Sequence, residues 1–159
     1  ADQAREYISN IRRYFPVAML SADVIVGFPG ETDADFLETV EFFKENRFLH
    51  LHIFPFSRRK GTEADLMPDQ IPEDVKRRRA AYLADIQRDI KIKMLDDYCL
   101  EHKNKRVRIL FEQYKNGVML GHTDHNVDVF MSSDTDVSGL IADAYTVSRV
   151  GEELEIRLA

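Results

Sequence analysis

The sequence predicts an α/β segment followed by a small, all-β antiparallel barrel. Three observations carry that expectation. A strand–helix–strand pattern runs from Asp23 to Phe56, a long amphipathic pattern runs from Pro72 to about Glu101, and after Asn104 the texture changes to short alternating runs separated by turn residues. The change of texture sets the expected domains, residues 1–104 and 105–159.

The elements follow in order. From Gln3 to Phe15 the residues Ile8, Ile11 and Phe15 recur at helical spacing. "DVIVGF" (Asp23 to Phe28) is short and β-branched, and reads as a strand buried on both faces. Thr32 or Asp33 caps a helix whose apolar residues are Phe36, Leu37, Val40, Phe42 and Phe43. "FLHLHIFPF" (Phe48 to Phe56) is the next strand, ended by Pro55, and completes a βαβ unit. Residues 57–72 show no period and read as a loop. Pro72 suits a helix's first turn, with Glu73 and Asp74 favourable at its positive end. Leu83, Ile86, Ile90, Met94 and Tyr98 form the apolar stripe of that helix. Beyond it, "RVRILFEQ", "GVMLGHT", "VDVFMS", "GLIADAYTVS" and "ELEIRLA" are five short strands, and Asn116-Gly117 is a hairpin signal.

Composition limits the function classes. In 159 residues no run approaches the roughly 20 apolar residues of a membrane helix, and "ADQAREYISN" lacks a signal-peptide pattern. The single cysteine, Cys99, excludes an internal disulfide framework and fits a reducing, cytoplasmic setting. Net charge is −6, split as −3 on each side of the boundary near residue 104, so neither part is broadly basic and any RNA contact is a local patch.

The corner "GFPGET" follows the first strand at its carboxyl end, where ligands of parallel sheets lie. Gly27 and Gly30 let main chain approach a ligand, Pro29 stiffens the turn, and a helix N-terminus follows; a tight βα turn without ligand is the other reading. The second strand ends in "HIFPFSRRKGTEA", where Arg58, Arg59 and Lys60 either meet phosphate or form a solvated loop. His50 and His52 share one strand face and are packed side chains more readily than metal ligands. His122 and His125, in "GHTDHN", either shape a turn or stack on RNA. In the run Lys76 to Arg79 at most two cations point one way, toward a phosphate-bearing partner or toward Glu73 and Asp74.

"DVIVGFPGETDADF", "LHIFPFSRRKGTEA" and "DQIPEDVKRRRAAYL", followed by a barrel with "GHTDHNVDVF", resemble the later part of the radical S-adenosylmethionine methylthiotransferases. The match runs in order over nearly the whole chain, and "HIFPFS" with "GTEA" is most similar to the branch acting on threonylcarbamoyladenosine 37 of tRNA. The branches acting on isopentenyladenosine and on a ribosomal-protein aspartate are near relatives.

The resemblance implies the C-terminal portion of a partial (β/α) radical-enzyme barrel and, after residue 104, an RNA-binding TRAM module with an OB-like barrel. It implies S-adenosylmethionine and two iron–sulfur (4Fe–4S) clusters in the full-length enzyme. One cysteine cannot supply the three thiolates of the radical cluster, so this fragment alone is expected to be inactive and to need the remaining N-terminal part of the enzyme. No catalytic and no metal-ligating residue is expected within it. Val24, Ile25, Val26, Gly27, Gly30 and Glu31, then Phe54, Phe56 and Ser57, take the cofactor-binding positions. The spacing Ile25-x-Gly27-x-x-x-Glu31 is one residue longer than in many radical enzymes, and Phe56 replaces a tyrosine common in the branch. Arg58, Arg59, Lys60, Arg77, Arg78, His122 and His125 take the RNA-facing positions, toward a tRNA anticodon stem-loop. A non-catalytic RNA-binding module and a bare structural fragment are the alternatives.

Overall fold

A computed structural model describes residues 2–159, which divide into two compact units. The first comprises the chain up to Tyr14 and Leu20–Ile90; the second comprises Phe15–Met19 and Lys91–Ala159.

In the first unit, helix α1 (Asp2–Tyr14), strand β1 (Ser21–Val26), helix α2 (Asp33–Asn46) and strand β2 (His50–Pro55) come in that order. A short helix α3 (Glu63–Leu66) and the first part of α4 (Glu73–Glu101) follow. β1 and β2 pair in parallel, with Asp23 opposite His52 and Ile25 opposite Phe54. Thr32 caps α2 and exchanges a reciprocal capping box with Asp35, two donors that would otherwise be orphaned. The core gathers Ile8 of α1, Val26 of β1, Phe36, Val40 and Phe43 of α2, and Leu83 of α4.

Three expectations change here. β1 is not buried on both faces: Ala22, Val24 and Val26 pack against the helices, while Ser21, Asp23 and Ile25 are exposed. A two-stranded sheet with its helices on one side covers only every second residue. In α1 only Ile8 is buried; Ile11 and Phe15 are exposed, and the helix ends at Tyr14. The stretch 57–72 holds one turn of helix, started by the Thr62 hydroxyl accepting from the Asp65 N–H.

In the second unit β3 (Val107–Lys115), β4 (Val118–Thr123), β5 (Asp128–Ser132), β6 (Ile141–Val150) and β7 (Glu153–Leu158) form a closed barrel in the order β3-β4-β5-β7-β6. Its pairings are antiparallel except β5 with β7. That exception is forced by number: around a ring of five strands, directions cannot alternate throughout. Asn116 and Gly117 both have positive φ, at 51° and 80°, as a two-residue hairpin needs. Val107, Ile109, Phe111, Met119, Val129, Leu154 and Ile156 fill the interior. The last turns of α4 carry the buried Leu95 and Tyr98, Tyr98 meets His125 between β4 and β5, and Lys91 and Arg149 tie Asp128 at 3.2 Å and Asp96 at 2.6 Å. Among the described residues no helix is long and apolar enough to cross a membrane.

Candidate functional site

The uncovered face of the parallel pair forms a hollow in the first unit. A groove of about 520 Å³ is lined by Asp23, Ile25, Phe54, Pro55, Phe56, Ser57, Arg59, Thr62 and Ala64. Strand alternation puts Asp23 and Ile25 on one side of β1, and the register sets Phe54 beside Ile25. Ile25 is 54% exposed and Phe54 51%, which is unusual for two adjacent large apolar side chains at the carboxyl edge of a parallel sheet.

The edge of the groove is rigid. The Phe56 N–H donates to the Val26 carbonyl at 2.8 Å, so the ladder continues past Pro55. The Phe56 ring meets Phe28 edge-on at 5.1 Å. Lys76, 2% exposed, donates to the Phe56 carbonyl at 2.9 Å, holds its ammonium over the Phe56 ring at 5.7 Å and pairs with Glu73.

The glycine corner is equally determined. Phe28, Pro29, Gly30 and Glu31 form a turn closed by the Glu31 N–H on the Phe28 carbonyl at 2.9 Å, with Gly30 at φ 85°. Proline second and a left-handed glycine third are the residues a type II turn demands. Gly27, at φ 73°, has its Cα against the stem of Lys76, where a Cβ would overlap Cγ. The close approach that Gly27 permits is therefore made by Lys76. The Glu31 carboxylate accepts from the Gly27 N–H at 2.7 Å and from Arg79 at 2.6 Å, while Arg79 also reaches Asp33 at 2.7 Å. Burial works to lower the Arg79 pKa, but the bonds to Asp33 and Glu31 outweigh it and raise it, so the guanidinium stays charged.

Of the cofactor positions expected from sequence, Ile25, Phe54, Phe56 and Ser57 line the groove. Val24 and Val26 point to the helix-packed face, and Gly27, Gly30 and Glu31 build the corner beside it. Asp23, Thr62 and Ala64 also line the groove; Asp23 was legible as the residue two before Ile25 on the same strand face. Of the cations, Arg59 lines the groove and Lys60 is exposed. Arg58 is held by Asp65 at 2.9 Å. In the four-cation run Lys76 and Arg79 turn inward, three apart on the continuation of the Leu83 stripe, leaving Arg77 and Arg78 outward, with Arg78 on Asp74 at 3.2 Å.

On the barrel unit His122 meets Glu112 at 3.1 Å, and the His125 ring nitrogen meets the Tyr98 hydroxyl at 3.0 Å. No group of three or more His, Cys, Asp or Glu among the described residues is arranged for a metal. Cys99 is half-buried, and burial, then Asp96, raise its thiol pKa and hold it protonated. The donor set therefore does not fit an iron–sulfur cluster, whereas the apolar groove with Ser57 and Asp23 at its border fits a nucleoside.

No protein-family model matches the chain. Among curated proteins it is 33% identical over 139 residues to the threonylcarbamoyladenosine tRNA methylthiotransferase MtaB of Bacillus subtilis, covering 84% of this chain and 30% of that protein. It is 35% identical over 136 residues to the tRNA-2-methylthio-N(6)-dimethylallyladenosine synthase of Thermosipho melanesiensis, covering 84% and 31%. The synthase of the same name from Aquifex aeolicus is 34% identical over 156 residues, covering 95% of this chain and 34% of that protein. The chain thus spans about a third of the length of the curated relatives it matches. By this likeness the chain belongs to the radical S-adenosylmethionine methylthiotransferase family.

Proposed function

We propose that this chain is the cofactor-side sheet and RNA-binding barrel of a tRNA methylthiotransferase, acting on adenosine 37 in the anticodon stem-loop. The observation that carries the reading is the pair Ile25 and Phe54, adjacent, apolar and left open at the carboxyl edge of a parallel sheet. In this reading the groove holds the adenosine of S-adenosylmethionine. Ile25, Phe54 and Phe56 contact the base, and Ser57 and Asp23 supply polar groups at its border. When bound, S-adenosylmethionine supplies the radical and the methyl group. Residues of this chain orient the nucleoside and exclude water; Lys76 and Arg79 keep the walls in place from behind. The radical-generating cluster belongs to another part of the enzyme, because Cys99 is the only thiol of the 159 residues. Residues 1–104 then correspond to the end of a (β/α) barrel and the following strands to a TRAM-like module. Among relatives, MtaB carries the threonylcarbamoyl name and the synthases the dimethylallyl name. The run "HIFPFS" with "GTEA" supports the former substrate here.

The test is Ile25→Asp in the full-length enzyme. A charge against the base is expected to lower S-adenosylmethionine affinity at least about tenfold, with tRNA affinity nearly unchanged. Wild-type cofactor binding by that variant would refute the assignment of the groove.

A further inference from the structure

One wall of the barrel carries a cationic aromatic cluster that the cofactor groove does not involve. Tyr145 on β6 points outward, directly opposite Arg157 on β7. The Arg157 guanidinium lies over the Tyr145 ring at 4.8 Å from its centre. From the other flank, Arg106, just before β3, donates through Nε to the Tyr145 hydroxyl at 3.3 Å. Both arginines are exposed and Tyr145 is half-buried. One row along, Arg108 faces Asp143 across β3 and β6. These two rows carry three guanidiniums and one carboxylate, Asp143, in a chain with a net charge of −6; the next outward residue of β7, Glu155, accepts from the Ser148 hydroxyl at 3.0 Å.

Two features separate the cluster from an ordinary surface ion pair. Neither Arg106 nor Arg157 has a carboxylate hydrogen-bond partner in the described structure; both use an aromatic residue instead. Tyr145, with Arg157 over its ring and Arg106 on its hydroxyl, is also a pre-ordered cationic aromatic group, so less side-chain entropy remains to be lost on binding. A stacking plane flanked by fixed cations matches a single-stranded nucleic acid, whose bases stack and whose phosphates take guanidinium forks.

We propose that the Arg106–Tyr145–Arg157 cluster is a contact for a single-stranded RNA segment, with phosphates on the two arginines and a base against the Tyr145–Arg157 stack. The proposal rests on the tRNA reading above and names a binding wall for it. It adds a wall to the sequence expectation, which placed the barrel's RNA contacts at His122 and His125.

The experiment is fluorescence-anisotropy titration of the full chain with an anticodon stem-loop RNA at several salt concentrations. Tyr145→Ala is expected to weaken binding about fivefold or more, with Tyr145→Phe close to wild type. Arg106→Gln with Arg157→Gln is expected to weaken binding and to reduce the magnitude of the salt slope by about 1.4, the value for two single-strand phosphates. Lys115→Gln, at the β3–β4 hairpin, is expected to bind as wild type. Thermal melts run in parallel, and because the two arginines are exposed their double variant is expected to stay folded even if Tyr145→Ala does not. Wild-type affinity and slope in the double variant would overturn this site while leaving the tRNA reading standing. An equal loss per charge at Lys115 would overturn it in favour of diffuse electrostatics. Absence of RNA binding by the wild type at low salt would overturn both.

Discussion

Arg79 of α4 reaches across 48 positions of sequence to the carboxylate of Glu31, at 2.6 Å, with both side chains at most 13% exposed. This bond fixes the corner after β1, because the same carboxylate accepts the Gly27 N–H. The glycine corner is therefore braced from behind by α4, and the open groove lies on the other side of the strand.

Removing one partner of such a pair leaves a buried charge. Arg79→Met is expected to destabilise the first unit by about 3 kcal/mol. Arg79→Lys is expected to fall between, since an ammonium cannot fork to Glu31 and Asp33 together. Urea denaturation followed by circular dichroism measures both. A loss of under about 0.5 kcal/mol for Arg79→Met would show that the bond is dispensable.

Gly27→Ala meets two separate obstacles, a positive φ and the stem of Lys76. A cost of about 2–3 kcal/mol is expected. Combining it with Lys76→Ala relieves the overlap and leaves the backbone part, so the double variant is expected to lose less than the sum of the two single variants. Strict additivity in a double-mutant cycle would contradict this account.

Phe54→Ala is expected to behave unlike a core substitution. With half its surface already in water, its stability cost is expected to stay under about 1 kcal/mol, against the roughly 3–5 of a buried phenylalanine. In the full-length enzyme the same change is expected to weaken S-adenosylmethionine several-fold. A large stability loss with unchanged cofactor affinity would make the groove a packing feature.

Burial pushes the Tyr98 hydroxyl up to about 12, opposed by a bond to Thr123 and helped by Asp124 and Cys99. A raised folded-state value means that the protonated phenol is favoured in the folded state. The associated stability is complete below about pH 10, the unfolded value, and is lost as pH rises from there toward 12. It amounts to about 2–3 kcal/mol. Tyr98→Phe is expected to abolish that alkaline loss, at about 1 kcal/mol of stability at neutral pH from the lost His125 bond. Melting temperatures between pH 8 and 12 for both proteins test it; parallel curves would exclude Tyr98 as the titrating group.

By itself the sequence determined the order of the elements other than the single turn α3, because that order depends on local periodicity: β-branched Asp23–Phe28, the stripe Leu83 to Tyr98, the hairpin at Asn116-Gly117 and five alternating runs. The motifs carrying the family likeness were legible for the same reason, since they are contiguous. Only the tertiary structure decided which side chains share a surface. It placed Ile25 in the open groove and Val24 and Val26 on the packed face, turned Lys76 and Arg79 inward from a run of four cations, and set Arg106, Tyr145 and Arg157 on one wall. Those outcomes depend on which helix covers which face and on register between strands far apart in the chain, and local spacing carries no information on either.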